Sequence, residues 1–165
     1  MDIRKMGPHE APPMELLLLA DPSVPVIEGY IERGECYIAL IEREIVGVSV
    51  LLPTRPGTAE LINIAVVEHL HGQGIGKRLV QHAIATAKSQ GYKTLEIGTG
   101  NSSLHQLSLY QKCGFRIIGV DRDYFIRHYP EAIFENGLQC IDMIRLAQDL
   151  IADSVCLPQI KMNQE

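Results

Sequence analysis

The sequence has no tryptophan and few aromatic residues, with six tyrosines and three phenylalanines among 165 positions. Its four cysteines are scattered without a Cys-x-x-Cys pair, which favours buried reduced thiols over a disulfide framework or a zinc site. They are Cys36, Cys113, Cys140 and Cys156. No apolar run approaches the roughly 18 residues of a membrane helix, and the first residues do not resemble a secretion signal. We therefore expect a cytoplasmic protein that does not enter a membrane.

Basic residues are also in deficit. Fifteen Lys and Arg face twenty Asp and Glu, which gives a net charge of −5 without a basic stripe. Because binding to nucleic acid needs clustered Lys and Arg, no nucleic-acid partner is expected, and the acidity favours a cationic small molecule. The composition, 46% apolar and 21% charged, is typical of one folded domain, and we predict a single domain over residues 1–165.

The hydrophobic pattern predicts an α/β fold, with a mixed and mostly antiparallel central sheet of about six to seven strands flanked by about four helices. Strands are predicted over residues 3–6, 36–42, 45–52, 59–67, 94–97, 115–121 and 138–146. Helices are predicted over residues 13–20, 25–33, 74–90 and 103–112. Ser103, with Gln106 three residues later, predicts a capping box at the start of the last helix. Residues 121–136 are an irregular, aromatic-rich stretch that either lines a pocket or packs on the sheet.

A glycine-rich segment, Gly72-Gln73-Gly74-Ile75-Gly76-Lys77, lies between a predicted strand and the helix that it opens. Glycines let the backbone turn sharply and direct several N–H groups to one point, where an anion can bind. A nucleotide-hydrolase loop would need Gly and Ser or Thr where His71 and Arg78 stand. A dinucleotide-binding fingerprint would need a third Gly where Lys77 or Leu79 stands. Taken alone, the segment is therefore either a different anion-binding turn or an ordinary one.

The same segment resembles the acetyl-coenzyme A motif of the GNAT acetyltransferase superfamily, whose core reads Arg/Gln-x-x-Gly-x-Gly/Ala. A second stretch, Leu109-Tyr110-Gln111-Lys112-Cys113-Gly114-Phe115, is similar to the Tyr-x-x-x-Gly-Phe signature of that family. Both motifs occur in the family's order and spacing, and the predicted elements fit the GNAT fold over about residues 1–146. The resemblance implies acetyl-CoA as cosubstrate. The binding residues that it implies are Ile64, Ala65, Val66, His71, Gly72, Gln73, Gly74, Ile75, Gly76, Lys77, Asn101 and Ser103.

Glu68 stands where the family frequently has proline, and two further positions depart from the family pattern. His71 stands where the family has Arg or Gln, which removes a charge-assisted contact unless the imidazole is protonated. Ser103 stands where the family often has Asn, with Asn101 two positions earlier. Backbone N–H groups supply most pyrophosphate contacts in this family, so we expect cofactor binding to survive these changes.

Acetyl transfer to an amine requires two proton movements. An alkylammonium of pKa ~10.4 must lose a proton, and a thiolate of parent pKa ~8.5 must gain one. The resemblance implies Glu60 as the base, Tyr110 as the acid and a backbone N–H near Val66 as the oxyanion donor. The structural alternatives are that Glu60 is a solvated glutamate at the start of a strand and that Tyr110 is a residue of the hydrophobic core. Other candidate bases are Glu28, Glu135 and His128.

These inferences predict an N-acetyltransferase that transfers acetyl directly from acetyl-CoA to a primary amine of a small molecule or of a peptide. No covalent enzyme intermediate is expected, because Cys113, the nearest thiol, is predicted to be buried. No metal is expected, because His69 and His71 have no third ligand nearby. A homodimer is left open. The rival hypothesis is a non-catalytic acyl-CoA-binding or sensing domain on the same fold.

Overall fold

The computed structural model describes residues 1–151, which form nine strands and five α-helices. The strands are β1 Asp2–Lys5, β2 Glu35–Ile41, β3 Glu44–Arg55, β4 Thr58–Val66, β5 Thr94–Gly100, β6 Arg116–Asp121, β7 Ile133–Glu135, β8 Leu138–Cys140 and β9 Met143–Asp149. The helices are α1 Met14–Ala20, α2 Val24–Ile31, α3 Ile75–Ser89, α4 Leu104–Lys112 and α5 Tyr124–His128. A short 3₁₀ turn, Glu68–Leu70, precedes α3.

Seven of these strands form one sheet in the order β1-β2-β3-β4-β5-β9-β6. Neighbouring strands run antiparallel except β4 and β5, which are parallel. Strands β7 and β8 form a separate hairpin. The predicted α/β fold with a mostly antiparallel sheet is therefore confirmed. The last strand of the chain, β9, inserts between β5 and β6, an order that sequence periodicity does not reveal.

Helices cover both faces of the sheet, because alternate strand residues are apolar on each side. Helices α3 and α4 cover one face, where they bury a core with β4, β5 and β9. The members of this first core include Leu61, Val80, Ala83, Leu95, Ile97, Tyr110 and Phe115. Helices α1 and α2 cover the other face, where Leu17, Ile27 and Tyr30 pack against β2 and β3. The result is a three-layer arrangement in which β4 contacts both cores.

The predicted capping box at Ser103 is wrong, although α4 begins at the next residue as expected. Ser103 makes no side-chain capping bond, and its hydroxyl donates to Glu135 Oε2 at 3.0 Å. The predicted strand 138–146 is interrupted at residues 141–142. There the N–H groups of Ile141 and Asp142 donate to Asn101 Oδ1, at 2.8 and 3.0 Å, instead of continuing a ladder.

Helix α5 and the β7–β8 hairpin occupy the stretch that the sequence pattern left irregular. Within the described residues, no helix is long and apolar enough to span a membrane. Cys36 and Cys140 are buried free thiols, as predicted, whereas the free thiol Cys113 is only partly buried, and Cys156 lies outside the described residues.

Candidate active site

The parallel strands β4 and β5 pair over only three residues each and then separate. Thr58–Glu60 of β4 lies alongside Thr94–Glu96 of β5, while β4 continues unpaired on that side to Val66 and β5 continues to Gly100. Residues 64–66, which the sequence assigned to the cofactor, therefore follow the point where the strands part. Backbone groups along a strand edge can bind an extended ligand as an added strand. The sheet thus contains a gap shaped for a chain-like molecule.

A bulge in β4 coincides with this separation. Val50 of β3 faces Asn63, whereas Leu51 faces Leu61, so Ile62 is the extra residue. Bulges bend a strand and increase its twist, which explains why β4 diverges from β5 beyond Glu60.

The glycine turn lies at the far end of the gap, between β4 and α3. Gly72 and Gly74 adopt left-handed backbone conformations with φ of +77° and +82°, which other residues adopt only with strain. Helix α3 has 15 residues, and its first internal bond runs from the Arg78 N–H to the Gly74 carbonyl at 3.1 Å. The N–H groups of residues 74–77 therefore have no partner within the helix. Together with the helix dipole they form a site for a phosphate or pyrophosphate.

His71 is tied to the end of β4 by its side chain. Its ring nitrogen Nε2 lies 2.7 Å from the Val66 carbonyl oxygen, which it can approach only as a donor. This bond joins the turn to the strand that borders the gap, and it leaves Nδ1 as the ring atom available to a ligand. No cluster of three metal-binding side chains occurs among residues 1–151, so the structure gives His69 and His71 no further partner for a metal.

Tyr110 lies in the last turn of α4 and is 4% exposed. It belongs to the core under α3 and packs edge-on against Phe115, with ring centroids 6.3 Å apart. Burial raises the pKa of the phenol, so the hydroxyl stays protonated throughout the physiological range. A protonated phenol can donate to a departing thiolate.

Glu60 occupies the last β4 position that still pairs with β5, immediately before the gap opens. Its neighbours Ala59 and Leu61 belong to the core under α3, so the Glu60 side chain projects to the opposite face. Partial burial is the main cause that raises the pKa of Glu60, and the negative charge of Glu96 adds to it. Arg145 and Arg55 oppose the shift. A carboxylate with a raised pKa is a stronger base than an exposed one.

A hydrogen bond joins two loops on the face to which Glu60 projects. The Tyr129 hydroxyl, just after α5, donates to Asp21 Oδ1, just after α1, at 2.9 Å. The Asp21 carboxylate also accepts the Ser23 N–H at 3.2 Å. Beside this contact, the Tyr124 ring lies 5.7 Å from the Arg145 guanidinium carbon. The two loops therefore meet on the face of the sheet to which Glu60 projects.

Asn101 and Ser103, expected near the pantetheine, are both hydrogen-bonded to the protein. The Asn101 amide donates to the Gln139 carbonyl at 3.1 Å and accepts from residues 141 and 142. Ser103 donates to Glu135. In the described structure these two residues hold the β7–β8 hairpin and the start of β9 against the end of β5.

The other candidate bases are less suitably placed. Glu28 is exposed on α2, and Glu135 is occupied by the Ser103 hydroxyl. His128 is exposed and stacks on Tyr124, with ring centroids 4.4 Å apart. Burial raises the pKa of the Cys113 thiol, which disfavours the nucleophilic thiolate. The sequence did not single out Arg145, because only the folded sheet brings its charge within range of Glu60.

A phosphate-binding helix start beside a gap for an extended chain is typical of a protein that binds a long, phosphate-bearing ligand. The chain belongs to the acetyltransferase (GNAT) family, whose model matches residues 8–115. It is 62% identical over 136 residues to "Uncharacterized N-acetyltransferase YvbK" of Bacillus subtilis, which covers 82% of this chain and 88% of that protein.

Two solved structures support the same cofactor. A GNAT family acetyltransferase from Elizabethkingia anophelis with acetyl-CoA bound is 47% identical, has a TM-score of 0.88, and covers 90% of this chain and 97% of its own. A Bacillus subtilis acetyltransferase in complex with CoA is 58% identical and has a TM-score of 0.86. The match covers 90% of this chain and 98% of that chain. The predicted family and enzyme class are confirmed, and acetyl-CoA is the cosubstrate.

Proposed function

We propose that the enzyme transfers acetyl from acetyl-CoA directly to the primary amine of a small molecule. The observation that carries this proposal is the continuity between the gap in the sheet and Glu60. The glycine turn would bind the pyrophosphate, residues 64–66 would hold the pantetheine arm, and the thioester would then reach the point where β4 and β5 separate. Glu60 lies at that point and has a raised pKa.

The chemistry follows from this arrangement. Glu60 accepts the proton of the attacking ammonium, and the neutral amine adds to the thioester carbonyl. A backbone N–H of β4 just beyond Glu60, nearer the thioester than the Val66 N–H, stabilises the oxyanion, since β5 leaves that stretch of β4 unpaired. The Tyr110 hydroxyl then protonates the departing coenzyme A thiolate, and the proton that the acetylated nitrogen loses restores the Tyr110 hydroxyl. Amine and thioester react while both are bound to the enzyme, and holding them side by side accelerates the reaction.

The size of the acceptor is inferred from the two joined loops. The hydrogen bond between Tyr129 and Asp21 connects segments that are 108 residues apart in sequence, and it joins them on the face to which Glu60 projects. A small amine could approach that face more easily than a side chain on a folded protein. A peptide amine remains the alternative acceptor.

The test is thiol release from acetyl-CoA with a panel of small primary amines and, separately, with short peptides. We expect release above background with members of the small-amine panel. Release with peptides alone would overturn the small-molecule acceptor. Coenzyme A binding without release in either panel would support the rival, a non-catalytic acyl-CoA-binding domain.

The role of the glycine turn is tested with a charge placed at the start of α3. A Cβ at Gly76 would make only ordinary contacts, the nearest at 3.7 Å to Leu109 Cδ2, and an acidic residue is favourable at a helix start. Gly76→Asp should therefore fold normally and repel the pyrophosphate, lowering coenzyme A affinity by about 10-fold or more. Calorimetry measures this change.

Gly76→Ala is the matched control, because it adds the same Cβ without the charge and should bind nearly as well as the wild type. Gly74→Ala should weaken binding as well, because it strains a backbone with φ of +82°. Unchanged affinity in folded Gly76→Asp would remove the turn from the cofactor site.

Three features stay predictions: a single domain over residues 1–165, a cytoplasmic location and a homodimer. Strand β6 is one edge of the sheet, and its Ile117, Ile118 and Val120 are each more than half exposed. A self-associating surface would most simply use this edge.

A further inference from the structure

Two arginines, Arg55 and Arg145, lie within electrostatic range of Glu60, and Arg145 is not held by a carboxylate at hydrogen-bond distance. Arg55 pairs closely with Glu96, and Arg127 Nη2 lies 2.7 Å from Asp121 Oδ1. Arg145 Nη2 lies 3.6 Å from the other Asp121 oxygen, and within residues 1–151 its guanidinium makes no hydrogen bond to a carboxylate. The Arg145 side chain is 41% exposed.

The register of the sheet places Arg145 on the same face as Glu60. Glu60 pairs with Glu96 in β5, Gly98 follows two residues later, and Gly98 pairs with Arg145 in β9. Two strand spacings and a two-residue offset separate the Cα atoms of Glu60 and Arg145 by roughly 12 Å. Because a glutamate and an arginine side chain each span several ångströms, their ends can bracket a small molecule above β5.

The surroundings of Arg145 leave room for a ligand. Its partner on the outer side is Gly119 of β6, where a Cβ would meet nothing within 4 Å. The Tyr124 ring covers part of the guanidinium at 5.7 Å. Tyr124 also interacts electrostatically with Glu60 and Asp21. Its ring therefore lies within range of both Arg145 and Glu60, the proposed base.

We propose that the acceptor is an amine that also carries a carboxylate, with its nitrogen at Glu60 and its carboxylate at Arg145. A guanidinium presents its N–H groups as a planar fork that matches a carboxylate in two parallel hydrogen bonds. The spacing suits an amino acid, in which the two groups are a few bonds apart. This inference rests on the proposed acetyl transfer, and it makes Arg145 the residue that selects the acceptor.

The test compares amino acids with the amines that remain when their carboxylate is absent. L-phenylalanine is paired with phenethylamine and L-lysine with cadaverine, at saturating acetyl-CoA, and kcat/KM is measured by thiol release. Wild-type enzyme should prefer at least one amino acid over its paired amine. Arg145→Gln should lower kcat/KM for that amino acid about 10- to 100-fold more than for the paired amine, mainly through KM, because its effect on the pKa of Glu60 is common to both substrates.

Amino acid and paired amine are each measured with the wild type and with Arg145→Gln, which forms a double-difference cycle. The cycle isolates the contact between Arg145 and the carboxylate, because differences in amine basicity are the same in both enzymes and cancel. Arg145→Lys should recover part of the preference. Arg127→Gln is the control, since it removes another cation from Asp121 and should leave the preference unchanged. Calorimetry of the N-acetylated amino acid with the coenzyme A complex should show the same loss in Arg145→Gln.

Preference for the paired amines in the wild type would overturn the carboxylate-bearing acceptor while leaving acetyl transfer intact. An equal loss for both substrates in folded Arg145→Gln would also overturn it, and would assign Arg145 a structural role with Asp121 and Tyr124. Absence of thiol release with every amine, despite coenzyme A binding, would overturn the proposed function together with this inference.

Discussion

Tyr110→Phe is expected to lower kcat by about 10²- to 10⁴-fold while leaving acetyl-CoA affinity unchanged. The reason is the environment of the phenol. The phenol is 4% exposed and lies beneath α3, and burial raises its pKa, so the hydroxyl is protonated at neutral pH. Phenylalanine keeps the packing against Phe115 and removes only the proton donor. Steady-state kinetics and calorimetry with coenzyme A measure the two quantities separately.

Tyr37→Phe is the matched control for this experiment. Tyr37 belongs to the same core, but its hydroxyl donates to Glu35 Oε2 at 2.7 Å, outside the proposed site. Tyr37→Phe should therefore lower the melting temperature and leave kcat near the wild-type value. A Tyr110→Phe enzyme with unchanged kcat and a lower melting temperature would show that Tyr110 only packs the core.

Glu60→Gln is expected to lower kcat/KM at neutral pH by about 10²-fold or more and to remove the acidic limb of the pH profile. The sign follows from the raised pKa of Glu60. Below that pKa the carboxyl is protonated and cannot accept the ammonium proton, so the wild-type rate rises with pH as Glu60 ionises. The limb should lie above the ordinary range of a glutamate. The glutamine enzyme should regain rate only at alkaline pH, where free amine is abundant.

Glu96→Gln gives a second, directional measurement on the same limb. The charge of Glu96 raises the pKa of Glu60, and its removal also frees Arg55, which lowers it. Both effects should move the limb to lower pH while the rate on the plateau is retained. An acidic limb that Glu60→Gln leaves in place would exclude Glu60 as the base. The proton would then leave through water to a group such as Glu135 or His128.

Local patterns predicted the parts of this molecule that depend on neighbours in sequence. The glycines between β4 and α3 and the apolar spacing of α3 gave the cofactor turn, because backbone freedom and helix periodicity are local properties. Helix α5 was missed because its five residues carry no capping side chain. The break in the strand predicted over 138–146 depends on Asn101, about 40 residues earlier, which no local pattern can show.

The acceptor end of the candidate site could not be predicted for a similar reason. Glu60 and Arg145 share a face only because β5 pairs with β9, and Asp21 meets Tyr129 only because two distant loops fold onto that face. Position in the sequence pointed to Glu60, whereas the tertiary register alone reveals Arg145.

The separation of β4 and β5 has a consequence for handling the protein. A sheet with a gap in its interior carries unpaired strand edges that a second molecule can occupy, as exposed outer edges do in aggregation. A ligand that fills the gap binds only the folded state, so at 100 times its dissociation constant it adds about 2.7 kcal/mol to the free energy of unfolding. Protein purified without coenzyme A should therefore be the less soluble and less heat-resistant form, and the fraction of molecules that retain the cofactor should determine how a preparation behaves in storage.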